Sequence, residues 1–159
     1  MPLRDSLPNV LIDNVVDLLR MRANAAMDSD QKDLLSWADK MLDMACRHIE
    51  TFVEPEVSVE AAARWQANGG KGDLRAQRYR KPSGWKRGAG LHFDHAVPPA
   101  QLLEDLLALG DHPTASSVRV ILETAEVAWI TTEQKKSIPE GRRDNWRAFY
   151  AKIPLADKL

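Results

Sequence analysis

The chain has 159 residues, about the size of one compact domain, and 44% of them are hydrophobic and 28% charged, as in ordinary globular proteins. With a net charge of −1, the chain as a whole is neither a polyanion nor a polycation. The single cysteine, Cys46, excludes an intramolecular disulfide, and a buried, inert thiol is expected there. No N-terminal apolar run and no apolar stretch of about 18 residues occurs, so we expect a cytoplasmic protein without a signal peptide or membrane span.

Two amphipathic helices are predicted for the first third of the chain, over residues 8–27 and 30–53, with a break at Asp28-Ser29-Asp30. The second helix has the clearer apolar stripe, formed by Leu34, Ala38, Met41, Leu42, Ala45, Ile49 and Phe52. The short junction predicts an antiparallel helical hairpin. Because two helices alone cannot bury both stripes, the hairpin either packs against the rest of the chain or forms a homodimer through residues 8–53. A short third helix over 57–67 completes a predicted helical region at 1–68.

A basic connector bounded by glycines follows over residues 69–90. Between Lys71 and Arg87 the chain has seven lysines and arginines against one acid, Asp73, which gives a local charge of +6. Such a mixture with aromatic residues is typical of DNA or RNA binding, because cations neutralise phosphates and rings stack on bases. The candidate contact residues are Arg75, Arg78, Tyr79, Arg80, Lys81, Trp85, Lys86 and Arg87. The alternatives are docking to an acidic protein surface and a solvated linker whose aromatic residues anchor it to the body.

Residues 91–159 predict a mixed region of strands and helices. Two strands are expected at 91–97 and 127–131, with helices at 99–109 and 115–124 between them and a last short helix at 145–152. Two strands are few, so we expect them to pair with each other. The predicted fold class is therefore α+β and helix-dominant, with an N-terminal helical hairpin followed by a small two-stranded sheet with packed helices, the regions forming one compact unit.

The first of these strands carries the densest set of chemically capable side chains. Because side chains alternate along a strand, His92 and Asp94 share one face and Phe93 and His95 share the other. The sequence Asp94-His95-x-x-Pro98 resembles the first motif of HNH-type (ββα-metal) nucleases. This resemblance implies that Asp94 binds a divalent ion (Mg²⁺, Mn²⁺ or Zn²⁺) and that His95 is the general base on the attacking water. His92 or His112 would complete the metal shell.

Other interpretations of the same residues remain open. A zinc ion could bind His92, Asp94 and His112. In a purely structural interpretation His92 is exposed, Asp94 caps a helix or pairs with an arginine, and His95 is a hydrogen-bonded core residue.

Residues 90–153, with the run Trp129-Ile130-Thr131-Thr132-Glu133, also resemble small uncharacterised bacterial and phage proteins, which implies no particular activity. The sequence thus predicts a nucleic-acid-binding protein, with metal-dependent endonuclease activity as the hypothesis for the strand. The alternative is a non-enzymatic interaction protein that docks partners through the helical hairpin and the basic connector.

Overall fold

The computed structural model describes residues 7–77 and 90–157 and is dominated by helices, as predicted for the α+β class. In these ranges the helices are α1 (Asn9–Ala26), α2 (Lys32–His48), α3 (Val59–Ala67), α4 (Pro99–Leu107), α5 (Ala115–Leu122), α6 (Thr132–Lys136) and α7 (Trp146–Phe149). The strands are β1 (Glu56–Val57), β2 (Leu91–His95) and β3 (Val127–Thr131). Short 3₁₀ turns occur at Ser29–Gln31, Ile49–Phe52 and Leu74–Ala76.

The chain divides into two compact units whose segments alternate along the sequence. The first unit contains the chain up to Phe52 together with Pro98–Ala125, and the second contains Val53–Val97 together with the chain from Glu126 onwards. These units do not coincide with the regions 1–68, 69–90 and 91–159 expected from the sequence. The reason is that β2 and β3 pair with each other although α4 and α5 lie between them in the sequence. Helices α4 and α5 pack on α2 and α1 instead.

The first unit is built on the predicted hairpin of α1 and α2. Ile12, Val15 and Leu19 of α1 are buried, as are Leu42 and Cys46 of α2. An ion pair joins the two helices, with Arg22 Nε 2.5 Å from Asp39 Oδ1. Helix α5 is tied to the start of α1, because Arg119 donates to the carbonyl oxygen of Leu7 at 3.1 Å and to the side chain of Asn9 at 2.7 Å. The hairpin therefore packs against later helices of its own chain, which was one of the two expectations.

The second unit contains the sheet. Strands β2 and β3 pair with each other, as predicted, and the pairing is antiparallel, with Leu91 opposite Thr131 and His95 opposite Val127. Strand β1 pairs parallel to β3, with Val57 opposite Trp129, so the order of the strands is β1-β3-β2. The sequence did not indicate β1, because two residues show no alternation and this strand exists only through its pairing with β3. Every residue of the central strand β3 is buried, which explains its continuous apolar run.

Ser58 links β1, α3 and α6 through one buried hydroxyl group. Its Oγ accepts a hydrogen bond from Ala61 N at 3.0 Å, as the N-cap of α3, and donates one to Gln134 Oε1 at 2.8 Å. Ser58→Ala removes both bonds and leaves the half-buried amide oxygen of Gln134 with one donor fewer, so we expect the free energy of unfolding to fall by about 1–2 kcal/mol in urea denaturation. The control is Ser116→Ala, at an exposed position on α5, for which we expect a change within about 0.5 kcal/mol. Equal effects of the two substitutions would contradict the linking role.

Candidate functional site

The carboxylate of Asp94 lies at the centre of a buried charged cluster in the second unit. Asp94 is 4% exposed, and both of its oxygens are engaged by other side chains. Oδ2 accepts hydrogen bonds from Arg143 Nη1 at 3.1 Å and from the Tyr150 hydroxyl. Oδ1 lies 2.9 Å from Lys135 Nζ. We refer to Asp94, Lys135, Arg143 and Tyr150 as the Asp94 cluster.

Four parts of the second unit, separated along the sequence, supply the Asp94 cluster. Strand β2 carries Asp94, and α6 carries Lys135 and begins directly after β3, where the Thr131 side chain caps it. Arg143 lies between α6 and α7, and Tyr150 follows α7. Arg143 also donates to the carbonyl oxygen of His95 at 3.1 Å and to that of Pro139 at 3.2 Å. The cluster thus fastens the chain after α6 to strand β2.

The environment keeps Asp94 charged and Tyr150 neutral. Burial alone would raise the pKa of the Asp94 carboxyl, but interactions with His92, Tyr150 and Lys135 outweigh it and hold this pKa well below its usual range. Burial, and then the negative charge of Asp94, raise the pKa of Tyr150 well above its ordinary value. At neutral pH the tyrosine hydroxyl therefore donates a hydrogen bond to a charged carboxylate.

The histidines that the sequence grouped with Asp94 take different places. His92 Nε2 lies 3.8 Å from Asp94 Oδ1, which is beyond hydrogen-bonding distance. The ring of His95 packs edge-on to Phe93, with centroids 6.1 Å apart, on the face of β2 opposite to Asp94, as the alternation predicted. His112 belongs to the first unit, where its side chain is 90% exposed and lies 3.4 Å from Asp111 Oδ1.

The side chains around Asp94 do not fit a divalent ion in this arrangement. A metal ligand must present a carboxylate lone pair to the ion, whereas each oxygen of Asp94 already contacts a cation, and Lys135 and Arg143 together would repel a divalent ion. In the described ranges 7–77 and 90–157, no three or more His, Cys, Asp or Glu side chains are grouped so that they could hold a metal ion. The arrangement corresponds to the structural interpretation in which Asp94 pairs with an arginine.

Only Arg75 of the candidate nucleic-acid contacts belongs to the described residues. It is buried, and its Nη2 donates hydrogen bonds to the carbonyl oxygens of Ala156 at 2.7 Å and Asp157 at 3.0 Å. The guanidinium of Arg75 thus binds the C-terminal residues rather than a phosphate. The other candidates lie outside the described residues: Arg78, Tyr79, Arg80, Lys81, Trp85, Lys86 and Arg87.

Each of the two residues that flank residues 78–89 accepts a hydrogen bond, one from strand β3 and the other from the residue directly after it. The carbonyl oxygen of Gln77 accepts a hydrogen bond from Trp129 Nε1 at 3.4 Å, and that of Gly90 accepts one from Thr132 N at 2.8 Å. Gly90 has a φ of 72°, in the left-handed region that residues with a Cβ atom rarely adopt, so the backbone favours glycine there. We call residues 78–89 the basic segment; its two neighbours are held beside one strand.

Sequence reasoning missed Lys135, Arg143 and Tyr150. Arg143 and Tyr150 lie 49 and 56 residues after Asp94, so no short motif connects them to it. The one available signal was an acid on a predicted strand that also holds Leu91, Phe93 and Val97, since a carboxylate buried with such residues needs cationic or hydrogen-bonding partners.

Comparisons of the chain with protein-family models, with curated proteins and with solved structures found no match. The similarity to HNH-type nucleases therefore stays a prediction from one short motif. Among the described residues, no helix has the length and apolar character needed to span a membrane.

Removal of the charge of Asp94 should strongly destabilise the protein. Asp94→Asn preserves the shape of the side chain but leaves the buried guanidinium of Arg143 without its anion, and loss of one partner of a buried ion pair costs about 3–5 kcal/mol. We expect a decrease of this size in the free energy of unfolding, measured by urea denaturation. The matched control is Asp144→Asn, which removes an exposed ion pair with Arg142 and should cost less than about 1 kcal/mol.

The same variant should change the pH dependence of stability. Folding lowers the pKa of Asp94, so its ion pairs contribute fully above the ordinary carboxyl pKa of about 3.9 and are lost as the pH falls towards the lower folded value. Between about pH 5 and pH 2 we expect the free energy of unfolding to fall more steeply for the wild type than for Asp94→Asn. Parallel curves would contradict a charged, ion-paired Asp94.

Divalent metal ions should leave the stability of the wild type unchanged. An ion that binds only the folded state raises its thermal midpoint, so we expect equal midpoints in EDTA and in Mg²⁺, Mn²⁺ or Zn²⁺. A metal-dependent rise in the wild type that is absent in Asp94→Asn would instead assign Asp94 as a metal ligand.

Proposed function

We propose that the protein binds single-stranded nucleic acid through the basic segment and that the Asp94 cluster is structural. The observation that carries this proposal is the attachment of both flanks of the segment, since Gln77 and Gly90 are hydrogen-bonded to Trp129 and Thr132. A segment anchored at both ends has less conformational freedom to lose on binding than a free tail of the same sequence.

The charges of the basic segment support an anionic ligand. It contains five cations and no acid: Arg78, Arg80, Lys81, Lys86 and Arg87. Arg64, next to the attachment point at Gly90, is already paired with Glu60 and Glu133, at 2.9 Å in each case. We therefore assign the phosphate contacts to the segment itself rather than to the body beside it.

The aromatic residues of the segment favour a single strand as the ligand. Tyr79 and Trp85 alternate with the cations, and an aromatic ring can stack on any base that is not already stacked within a duplex. Such stacking contributes about 1–3 kcal/mol per base without strong preference for sequence. Cations on the backbone and rings on the bases together describe a binding site with little sequence selectivity.

The nuclease hypothesis is less well supported by the geometry. It requires Asp94 to hold an ion and His95 to act on the water that this ion activates. Instead Asp94 faces Lys135 and Arg143, and His95 projects from the opposite face of β2. A binding protein needs neither residue for chemistry.

Neutralising the basic segment should remove most of the affinity. In fluorescence anisotropy with short labelled DNA and RNA strands, we expect wild-type binding to weaken with salt, with a slope of log K against log salt of about −3 to −4 for five phosphate contacts. The variant R78Q/R80Q/K81Q/K86Q/R87Q should bring this slope close to zero. Replacing the exposed Lys136 and Lys152 with glutamine is the matched control and should leave the slope unchanged.

The stacking contribution can be separated from the charge. Trp85→Ala or Tyr79→Ala should weaken binding about 5- to 100-fold while the salt slope stays the same. Wild-type protein that binds neither DNA nor RNA at low salt would refute the proposal. Equal affinity of the five-fold variant and the wild type would assign binding to another surface.

A further inference from the structure

Arg64 forms two ion pairs beside Gly90, the residue directly after the basic segment. Its Nη2 lies 2.9 Å from Glu60 Oε1, one turn earlier on α3, and its Nη1 lies 2.9 Å from Glu133 Oε2 on α6. The same Nη1 lies 3.5 Å from the carbonyl oxygen of Gly90. We call Arg64, Glu60 and Glu133 the Arg64 triad.

The Arg64 triad has more negative than positive charge, because two carboxylates face one guanidinium. A hydrogen bond to its own backbone N–H, and further the charge of Arg64, lower the pKa of Glu133, so this acid is ionised at neutral pH. Arg47 and Arg119, in contrast, each pair with one carboxylate four residues away on the same helix. The excess negative charge therefore distinguishes the triad from an ordinary ion pair on a helix surface.

The three side chains of the triad remain accessible to a ligand. The side chain of Arg64 is 31% exposed, and those of Glu60 and Glu133 are 49% and 60% exposed. Ion pairs at such exposure are weak, because water and salt screen them. A phosphate beside Gly90 would compete with the two glutamates for the same guanidinium, since phosphate is also a bidentate partner of arginine.

We propose that Glu60 and Glu133 keep Arg64 from contacting nucleic acid and thereby limit the affinity of the basic segment. The inference rests on the proposed function, since Arg64 can meet a phosphate only where a strand follows the segment to Gly90. In the wild type the two glutamates neutralise the guanidinium and repel a strand at this end of the segment. Without them Arg64 adds a sixth cation to the five of the basic segment. The triad is thus an autoinhibitory contact between α3 and α6.

The double variant Glu60→Gln/Glu133→Gln tests this contact in anisotropy titrations with the same labelled strands. One added phosphate contact on a single strand should steepen the slope of log K against log salt by about 0.7, which corresponds to about fivefold tighter binding at 0.1 M salt. The triple variant that also carries Arg64→Gln should return to the slope of the wild type, because no cation is left for the additional contact.

The matched control is Asp17→Asn/Asp43→Asn. It changes the net charge by the same amount as the double variant and likewise removes the carboxylate partners of two arginines, Arg20 and Arg47, but in the first unit. We expect this control to keep the affinity and the salt slope of the wild type. Circular dichroism verifies that each variant is folded.

The titrations separate failure of the triad proposal from failure of the proposed function. If the wild type binds through the basic segment and Glu60→Gln/Glu133→Gln has the same affinity and slope, the triad is only a structural link between α3 and α6. An equal gain in the triple variant or in the control would show that lower negative charge, rather than release of Arg64, strengthens binding. Absence of binding at low salt in both the wild type and the double variant would refute the proposed function, and the role of the triad with it.

Discussion

The second unit depends on one requirement, which is that the buried carboxylate of Asp94 must be paired. An unpaired charge at 4% exposure would cost more free energy than a domain of this size has to spare. Asp94 meets the requirement with groups from three later parts of the chain, Lys135, Arg143 and Tyr150. Charge and hydrogen bonding thus join strand β2 to the chain that follows β3, and the side chains of Trp146 and Ile153 become buried there.

The pairing of Asp94 also bears on the hypothesis that this residue binds a metal ion. The carboxylate already contacts two cations and accepts a hydrogen bond from Tyr150, so these cations would repel a divalent ion, and the Asp94-His95 sequence matches a nuclease-like motif without presenting a metal ligand in this arrangement. The proposed binding residues belong instead to the basic segment, whose cations and aromatic rings need no reactive group.

Local pattern predicted the helical hairpin and the opposite faces of Asp94 and His95, because each depends on a period of 3.6 or 2 residues. The pairing of β2 with β3 was expected because the sequence showed two strands, but its antiparallel direction was not predicted. Pattern could not predict β1, which is defined by a partner 72 positions away (Glu56 opposite Ala128), or the partners of Asp94. It also assigned Arg75 to the basic surface, since a charge in sequence does not reveal burial. On α2 it gave one broad stripe, and only the packing of the unit divides the apolar residues into a covered and an open part.

The proposed binding segment and the Asp94 cluster are connected through the end of strand β3. Gln77 and Gly90, which flank the basic segment, are hydrogen-bonded to Trp129 and Thr132, and helix α6, which carries Lys135, begins at Thr132. Loss of the ion pair between Asp94 and Lys135 would therefore loosen the helix that starts at the attachment point of Gly90. In the proposed function, a buried carboxylate with no part in chemistry thus stabilises the frame to which the binding segment is attached.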